Sequence, residues 1–491
     1  MKNEISFGTD GWRAVIAEEF TFENVKIASQ AIGEYILKNQ DKKFPIVIGY
    51  DTRFLADDFA KTCYSTLLNL GLNPIKSSKP VPTPVIAYWA ARPPENLSKQ
   101  TNGAIQFTAS HNPPKYCGLK YIMSYGGPAP VEVTNEITKN INVINNAICR
   151  DVARNVSMGT FEPLEHYVSH IKTLINFDKI KNAKLKIVYD PLYGAGNGYL
   201  DYILKEAGCE VITIHNRRDP LFGGLLPEPR EENLTDLKLT IKSSGSNLGI
   251  ATDGDSDRIS AVDQSGIFYS PNQIASMLLR HLYKNKGLRG TVVRTLSTTH
   301  LMDQLAKKYN LPVVETKVGF KWICEIMRRE KVLIGAEESG GISMLGHVPD
   351  KDAILAGMLL AEMLAYENKS LSEIYKDTLG DANWFCINDK LDLHMENDEK
   401  ERFISSFLPK AGPPVAEKSA KITDLNGLKI KSINTTEGVK YLFDDGSWFM
   451  ARASGTEPMA RVYFEATSQK SLDIMKNAVQ QMLKETSSCQ K

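Results

Sequence analysis

Ser110 stands in the run Thr108-Ala109-Ser110-His111-Asn112-Pro113, whose residue types suit covalent chemistry. Ile105 and Phe107 alternate with polar residues, which predicts a short strand running into this loop. Pro113 and Pro114 forbid an immediate helix. Ser110 is then presented at a strand end on a stiff turn, with His111 beside it and Lys120 about ten residues on. A serine held this way can act as a nucleophile or carry a phosphoryl group. A plain Ser/Asn turn, closed by side-chain bonds to backbone, competes. It loses because two sites downstream need a phosphoserine to make sense.

The first of these is Asp253-Gly254-Asp255-Ser256-Asp257-Arg258, after the predicted strand Leu248 to Thr252. Three carboxylates at alternating positions converge on one hard, oxygen-preferring cation and would repel one another without it. A calcium EF-hand needs Gly at the sixth position and Glu at the twelfth, where this chain has Arg258 and Gln264. A solvated acidic turn stays open, but Mg²⁺ beside a phosphate fits better, because Mg²⁺ takes a few carboxylates plus phosphate oxygen. The second is Arg452-Ala453-Ser454-Gly455-Thr456-Glu457-Pro458. One Arg, two hydroxyls and a backbone donor at Gly455 form an anion cradle, to which Arg461 can add charge. A simple Ser-Gly turn is its rival.

Three weaker signals accompany them. Glu337-Glu338-Ser339-Gly340-Gly341 follows an apolar run, and its carboxylates and hydroxyl suit sugar hydroxyls. Phe7 to Arg13, with two glycines, is expected to be an exposed loop and not a strand. Val318-Gly319-Phe320-Lys321 is a glycine turn ending in a cation. Taken singly, Arg13 and Lys321 read better as surface salt-bridge residues.

Three stretches of one design can position these loops. Each is a strand, a helical pattern and a second strand over roughly thirty residues: Phe44 to Ile75, Leu185 to Ile214, and Gly290 to Glu315. Such units are right-handed crossovers in a mostly parallel sheet. The chain is therefore expected to be α/β: three related α/β domains with mixed, mostly parallel sheets, plus a C-terminal α+β domain. The expected boundaries are 1–150, 151–265, 266–385 and 386–491. The last contains a linker-like break at Ala411-Gly412-Pro413-Pro414, a hairpin over Tyr441 to Met450 with an Asp-Gly turn, a strand from Arg461 to Ala466, and an amphipathic helix from Ser471 to Leu483.

Composition excludes several classes. With 491 residues, 42% hydrophobic and 24% charged, the chain reads as globular, and a net charge of +1 offers no nucleic-acid or membrane surface. Its first residues lack the apolar core of a signal peptide, and the apolar stretch Ala353 to Ala361 is too short to span a bilayer. Seven scattered cysteines without metal-type pairing read as reduced thiols in the cytoplasm.

The four loops, in this order, resemble those of the α-D-phosphohexomutases, and the resemblance covers nearly the whole chain. It implies four domains around a central cleft, with one motif from each. It also implies roles. Ser110 is similar to the family's phosphorylated serine, and Ser110, Asp253, Asp255 and Asp257 to its Mg²⁺ ligands. Glu337 and Ser339 resemble the sugar grip, and Arg452, Ser454, Gly455 and Thr456 the clamp on the phosphate that is not being transferred. Lys120 resembles the general acid/base, with Arg13, His111, Arg258 and Lys321 as supporting cations. The implied reaction interconverts hexose 1-phosphate and hexose 6-phosphate through a hexose 1,6-bisphosphate that is both intermediate and activator. The implied partner is a small phosphosugar, and the implied assembly a monomer or homodimer. Glu338 and Gly341 resemble the glucose-type members, since dual glucose/mannose members often carry Met at the first position and phosphoglucosamine mutases Gln and His at the two. A dual-specific mutase, a bisphosphate synthase, a Mg²⁺-dependent sugar phosphatase and an inactive sugar-phosphate sensor remain as alternatives.

Overall fold

The computed structural model describes residues 5–8, 11–144, 158–395, 397–408, 424–453 and 459–488. Four sheets organise them. The first has the strand order Trp12–Val15, Tyr116–Ile122, Ala104–Phe107, Pro45–Tyr50, Asn73–Ser77, Thr160–Phe161. The second runs Phe268–Tyr269, Ile259–Asp263, Leu248–Thr252, Lys186–Asp190, Glu210–Thr213. The third runs Val313–Thr316, Thr291–Thr295, Val332–Ala336, Ile342–Met344. The fourth runs Ile387–His394, Met459–Ala466, Trp448–Ala453, Val439–Phe443, Leu428–Asn434, Asp424–Leu425 and is antiparallel throughout.

The first three sheets share one plan. A central strand pairs in parallel with its crossover partner on one side and with a third strand on the other. That third strand turns back into an antiparallel neighbour. The central and third strands are buried along their length, so they read as near-continuous apolar runs with helices on both faces. The turn from third strand to antiparallel strand holds Ser110 in the first domain, Asp253 to Arg258 in the second and Glu337 to Gly341 in the third. Each chemical loop therefore occupies the same place in its sheet.

Two expectations need correction. Trp12 and Arg13 are not in an exposed loop: Trp12–Val15 is an edge strand, and Trp12 is buried against Phe20, ring centroids 4.4 Å apart. The strand forms because Tyr116–Ile122 offers it a partner, with Arg13 opposite Gly118. The sheets also reach past the expected borders. Thr160–Phe161 pairs with the first sheet and Phe268–Tyr269 with the second. Arg150, Ala411 to Pro414 and Ser454 to Thr456 lie outside the described residues.

The apolar interior divides unevenly. One cluster runs from the helix Thr83–Ala91 of the first domain through the second and third domains. Its centre is the helix Ala353–Glu367, buried on nearly every face, where Gly357 leaves room for Leu200 of the second domain. The fourth domain has its own core around Phe403, Phe443, Phe449 and Phe464. A small group, with Leu296 and Val318 facing Trp448, Met450 and Tyr463, joins it to the third. No helix among the described residues is long and apolar enough to cross a membrane.

Candidate active site

Ser110 follows the strand Ala104–Phe107 with φ at +51°, a left-handed conformation that a non-glycine residue holds only when its surroundings impose it. Arg53 imposes it. This guanidinium is fully buried. Its Nη2 donates to the carbonyls of Ser110 and Asn112, both at 2.7 Å, and its Nη1 to those of Pro113 (2.9 Å) and Tyr116 (3.0 Å). Nε donates to Asp51 Oδ2 at 3.2 Å, and the same oxygen accepts the Thr108 hydroxyl at 2.6 Å. Thr108 Oγ1 in turn accepts the Ser110 N–H at 2.8 Å. Burial pushes the Asp51 carboxyl up to about 6 even with Arg53 beside it, so ion pair and loop geometry depend on each other.

Asp51 and Arg53 belong to no local motif, although they follow a strand in the first repeat unit, where an acid–base pair is a usable signal. A single ammonium cannot serve four carbonyls and a carboxylate, so Arg53→Lys is not conservative. Each buried carbonyl left without its donor costs about 1–3 kcal/mol. Arg53→Lys should therefore loosen the loop, seen as faster amide exchange over 108–116 with a matching fall in kcat. Wild-type exchange and rate would leave Arg53 without a positioning role.

Although it stands at a strand end, Ser110 is only 1% accessible. Its hydroxyl donates to Asp253 Oδ2 at 2.7 Å, across the boundary between first and second domains. The approach is close enough that a Cβ at Gly254 would stand 2.6 Å from the Ser110 carbonyl oxygen, which explains a glycine there. His111 Nδ1 lies 3.4 Å from Ser110 Oγ. Desolvation, reinforced by Arg258, Arg13, Arg461 and Arg230, holds His111 far below the usual imidazole range and hence neutral. Arg13 Nη1 donates to Asn112 Oδ1 at 2.7 Å, so the first edge strand also braces the loop.

Asp253, Asp255 and Asp257 are buried, and each offers an oxygen within 4.8 Å of the others. Asp253 Oδ1 accepts the backbone N–H groups of Asp257 (2.9 Å) and Arg258 (3.0 Å). Asp255 Oδ2 takes Lys120 at 2.8 Å and the Thr83 hydroxyl at 2.6 Å. Asp257 Oδ2 takes Lys120 and Lys351, both at 3.2 Å. The other oxygens, Asp255 Oδ1 and Asp257 Oδ1, are buried with no hydrogen-bond partner among the described residues. Burial, then the charges of Asp255 and Asp257, keep the Asp253 carboxyl well above the ordinary range. Burial disfavours the Asp255 charge too, but Lys120 outweighs it and pulls that carboxyl down. Two orphaned oxygens and one carboxyl strained by its neighbours' charge fit a hard divalent cation such as Mg²⁺.

A cleft of about 370 Å³ opens in front of these loops, lined by all four domains. Arg13, Arg258, Lys321, Lys351, Lys390, Arg452 and Arg461 face Glu228, Glu337 and Glu338 in it, a strong excess of positive charge. Gly319, at φ +121°, donates its N–H to Glu337 Oε1 at 3.0 Å and starts the helix that carries Lys321 into the cleft. Arg452 and Arg461 are cross-strand partners at the fourth domain's edge of the cleft. The structure thus brings together Ser110, His111, Lys120, Arg13, Asp253, Asp255, Asp257, Arg258, Lys321, Glu337, Ser339, Arg452 and Arg461; Ser454, Gly455 and Thr456 are outside the described residues.

The sequence reading missed the ion pairs between domains. Arg230 Nη1 reaches Asp392 of the fourth domain at 2.9 Å, while its Nε holds Glu228 at 2.7 Å. Lys390 pairs with Glu338 at 3.3 Å. Glu437 accepts the Val318 N–H at 2.6 Å and pairs with Arg452 at 3.4 Å. An isolated charge in a sequence carries no sign of a partner in another domain.

Comparison with known proteins follows this architecture. Models of the phosphoglucomutase/phosphomannomutase α/β/α domains I, II and III match residues 4–147, 165–266 and 270–381, and that of the C-terminal domain matches 413–481. A protein of Thermococcus kodakarensis named phosphoglucomutase/phosphomannomutase is 31% identical over 94% of this chain and 95% of its own. A phosphoglucosamine/phosphogalactosamine mutase of Sulfurisphaera tokodaii is 30% identical over 97% of this chain and 98% of its own. A crystal structure from Thermus thermophilus, described as a phosphomannomutase, superposes with a TM-score of 0.82 at 30% identity, covering 98% of this chain and 99% of that one. With four domain models matched in order on four domains that meet at one cleft, the chain belongs to the phosphoglucomutase/phosphomannomutase family of phosphohexomutases.

Proposed function

We propose that this phosphohexomutase interconverts glucose 1-phosphate and glucose 6-phosphate, with Ser110 as the phosphoryl carrier and glucose 1,6-bisphosphate as the intermediate. The observation that carries the reading is the 2.7 Å contact between the Ser110 hydroxyl and Asp253, which puts the carrier on the acidic loop at the mouth of a cationic cleft. In the first transfer a sugar hydroxyl attacks phosphorus, the phosphorus–Oγ bond of Ser110 breaks, and the bisphosphate forms. After the intermediate turns over, the Ser110 oxygen takes the other phosphoryl group. His111, kept neutral by its surroundings, takes the proton of the attacking sugar hydroxyl, and Lys120, an ammonium seated on the carboxylates, returns one to the departing Ser110 oxygen. Mg²⁺ held by Ser110, Asp253, Asp255 and Asp257 would supply charge neutralisation at the transferring group.

The opposite wall grips the rest of the ligand. Glu337 and Ser339 serve the sugar hydroxyls, and Arg452 and Arg461 the distant phosphate, with Arg13, Arg258 and Lys321 around them. Since one clamp must hold either phosphate of the bisphosphate, Arg452→Ala should raise KM in both reaction directions. A charge-assisted bond is worth about 1.5–3 kcal/mol, hence a change of about ten- to a hundredfold. Unchanged KM both ways would take the fourth domain out of substrate binding.

The glucose assignment rests on Glu338 and Gly341. Amino-sugar phosphates are the second reading, favoured by the name of the Sulfurisphaera tokodaii relative. A panel of glucose, mannose and glucosamine 1-phosphates with a trace of the matching 1,6-bisphosphate decides. Glucose 1-phosphate should turn over fastest. An advantage of about tenfold for another sugar would replace the substrate and keep the reaction, whereas steady release of inorganic phosphate would mean a phosphatase.

A further inference from the structure

A second cavity, of about 170 Å³, lies between the first and second domains and shares no lining residue with the cleft. Its charged lining is wholly cationic: Lys79 from the first domain, Arg217 and Arg218 from the second. Lys79 is balanced by Glu162 at 2.6 Å. The two arginines are exposed neighbours, and among the described residues neither has a carboxylate within 4 Å. Arg217 lies 5.9 Å from the Tyr193 ring centre, and Arg218 donates to the Arg53 carbonyl at 3.4 Å. Both line the cavity, and a guanidinium's donor fork matches the oxygens of a phosphate.

The cavity walls back directly onto both catalytic loops. The Thr52 hydroxyl donates to the Tyr193 carbonyl at 2.9 Å, next to the Arg53 clamp. The Ala195 N–H donates to the Gly254 carbonyl at 2.9 Å, inside the acidic loop. A ligand here would therefore touch both domains behind the point where Ser110 meets Asp253.

We propose that this cavity is a second anion site, taking a phosphate dianion, free or as the head of a small phosphate ester, between Lys79 and the Arg217–Arg218 pair. Bound there, the anion supplies the two arginines with the negative partner they lack among the described residues and fastens the first domain to the second.

Calorimetric titration of the full-length protein tests this, with inorganic phosphate in one arm and glycerol phosphate in the other. Wild type should show two classes of phosphate site. Arg452→Ala should weaken the cleft site alone. Arg217→Glu should weaken the second by about tenfold or more, while phosphosugar turnover in phosphate-free buffer stays at the wild-type rate. Arg217→Lys, which keeps the charge, should recover part of the binding. Tighter binding of glycerol phosphate than of inorganic phosphate at the second site would name an ester as its ligand; the reverse would name the free ion. A single class of site in wild type, or phosphate binding unaltered in both Arg217→Glu and Arg218→Glu, would overturn the proposal. Since binding is read without turnover, this result stands apart from the choice of sugar.

Discussion

Replacing Ser110 with alanine should lower mutase turnover by about four orders of magnitude or more and remove the phosphoryl group from the intact protein. The substitution deletes one buried oxygen. The backbone at φ +51° suits alanine no worse than serine, and Arg53 holds the loop through carbonyls that the change leaves in place. The fold should therefore survive, and the loss should report the missing carrier alone. Asp253 Oδ2 would lose its hydroxyl donor, a secondary cost of about 1–3 kcal/mol for a buried acceptor, which the two backbone donors on its other oxygen limit. Intact-mass spectra after incubation with a 1,6-bisphosphate should show one phosphoryl group on wild type and none on the variant. An active alanine variant, or a wild type never phosphorylated, would sink the carrier role.

Chelation should have the next largest effect. Like charges about 4 Å apart repel by about 4 kcal/mol at an effective dielectric near 20, and Asp253, Asp255 and Asp257 are that close. Lys120 and Lys351 offset part of this, leaving Asp253 as the carboxyl that holds its proton. Excess chelator should cut turnover by about a hundredfold or more and lower the thermal midpoint, with Mg²⁺ restoring both. The sign of the pH dependence follows. Asp253 has a raised folded pKa, so its contribution is complete below the ordinary carboxylate range. It is lost as pH climbs from there toward the folded value, because the folded protein must keep a proton that the unfolded chain releases. Asp255, shifted the other way, acts only at more acid pH. The metal-free protein should thus become less stable from mildly acid pH upward, and Mg²⁺ should flatten that slope. Full activity in chelator, or a slope indifferent to Mg²⁺, would contradict the metal reading.

Much of the site was legible because each motif is local. The acidic loop, the glutamate loop and the serine loop each announce themselves within six residues, and the strand–helix–strand units within thirty. What escaped depends on long separations. Arg53 finds its carbonyls 57 to 63 residues away, and Trp12–Val15 becomes a strand only because Tyr116–Ile122 lies beside it. The burial of Ser110 needs Asp253, 143 residues on. Hydropathy patterns see period and length; they do not see which domain will cover a loop. The shared hairpin position of the three loops was equally hidden, since it is a property of sheet order.

The uneven division of the apolar interior has a consequence for folding. Because one cluster threads the first three domains, Ser110 and Asp253 cannot be brought to 2.7 Å by either domain folding alone. The serine and acidic loops meet only where the first and second domains pack together, so their contact depends on the core those domains share. The fourth domain, with its own core and a small junction, can melt separately, and Arg452 and Arg461 would leave the cleft with it.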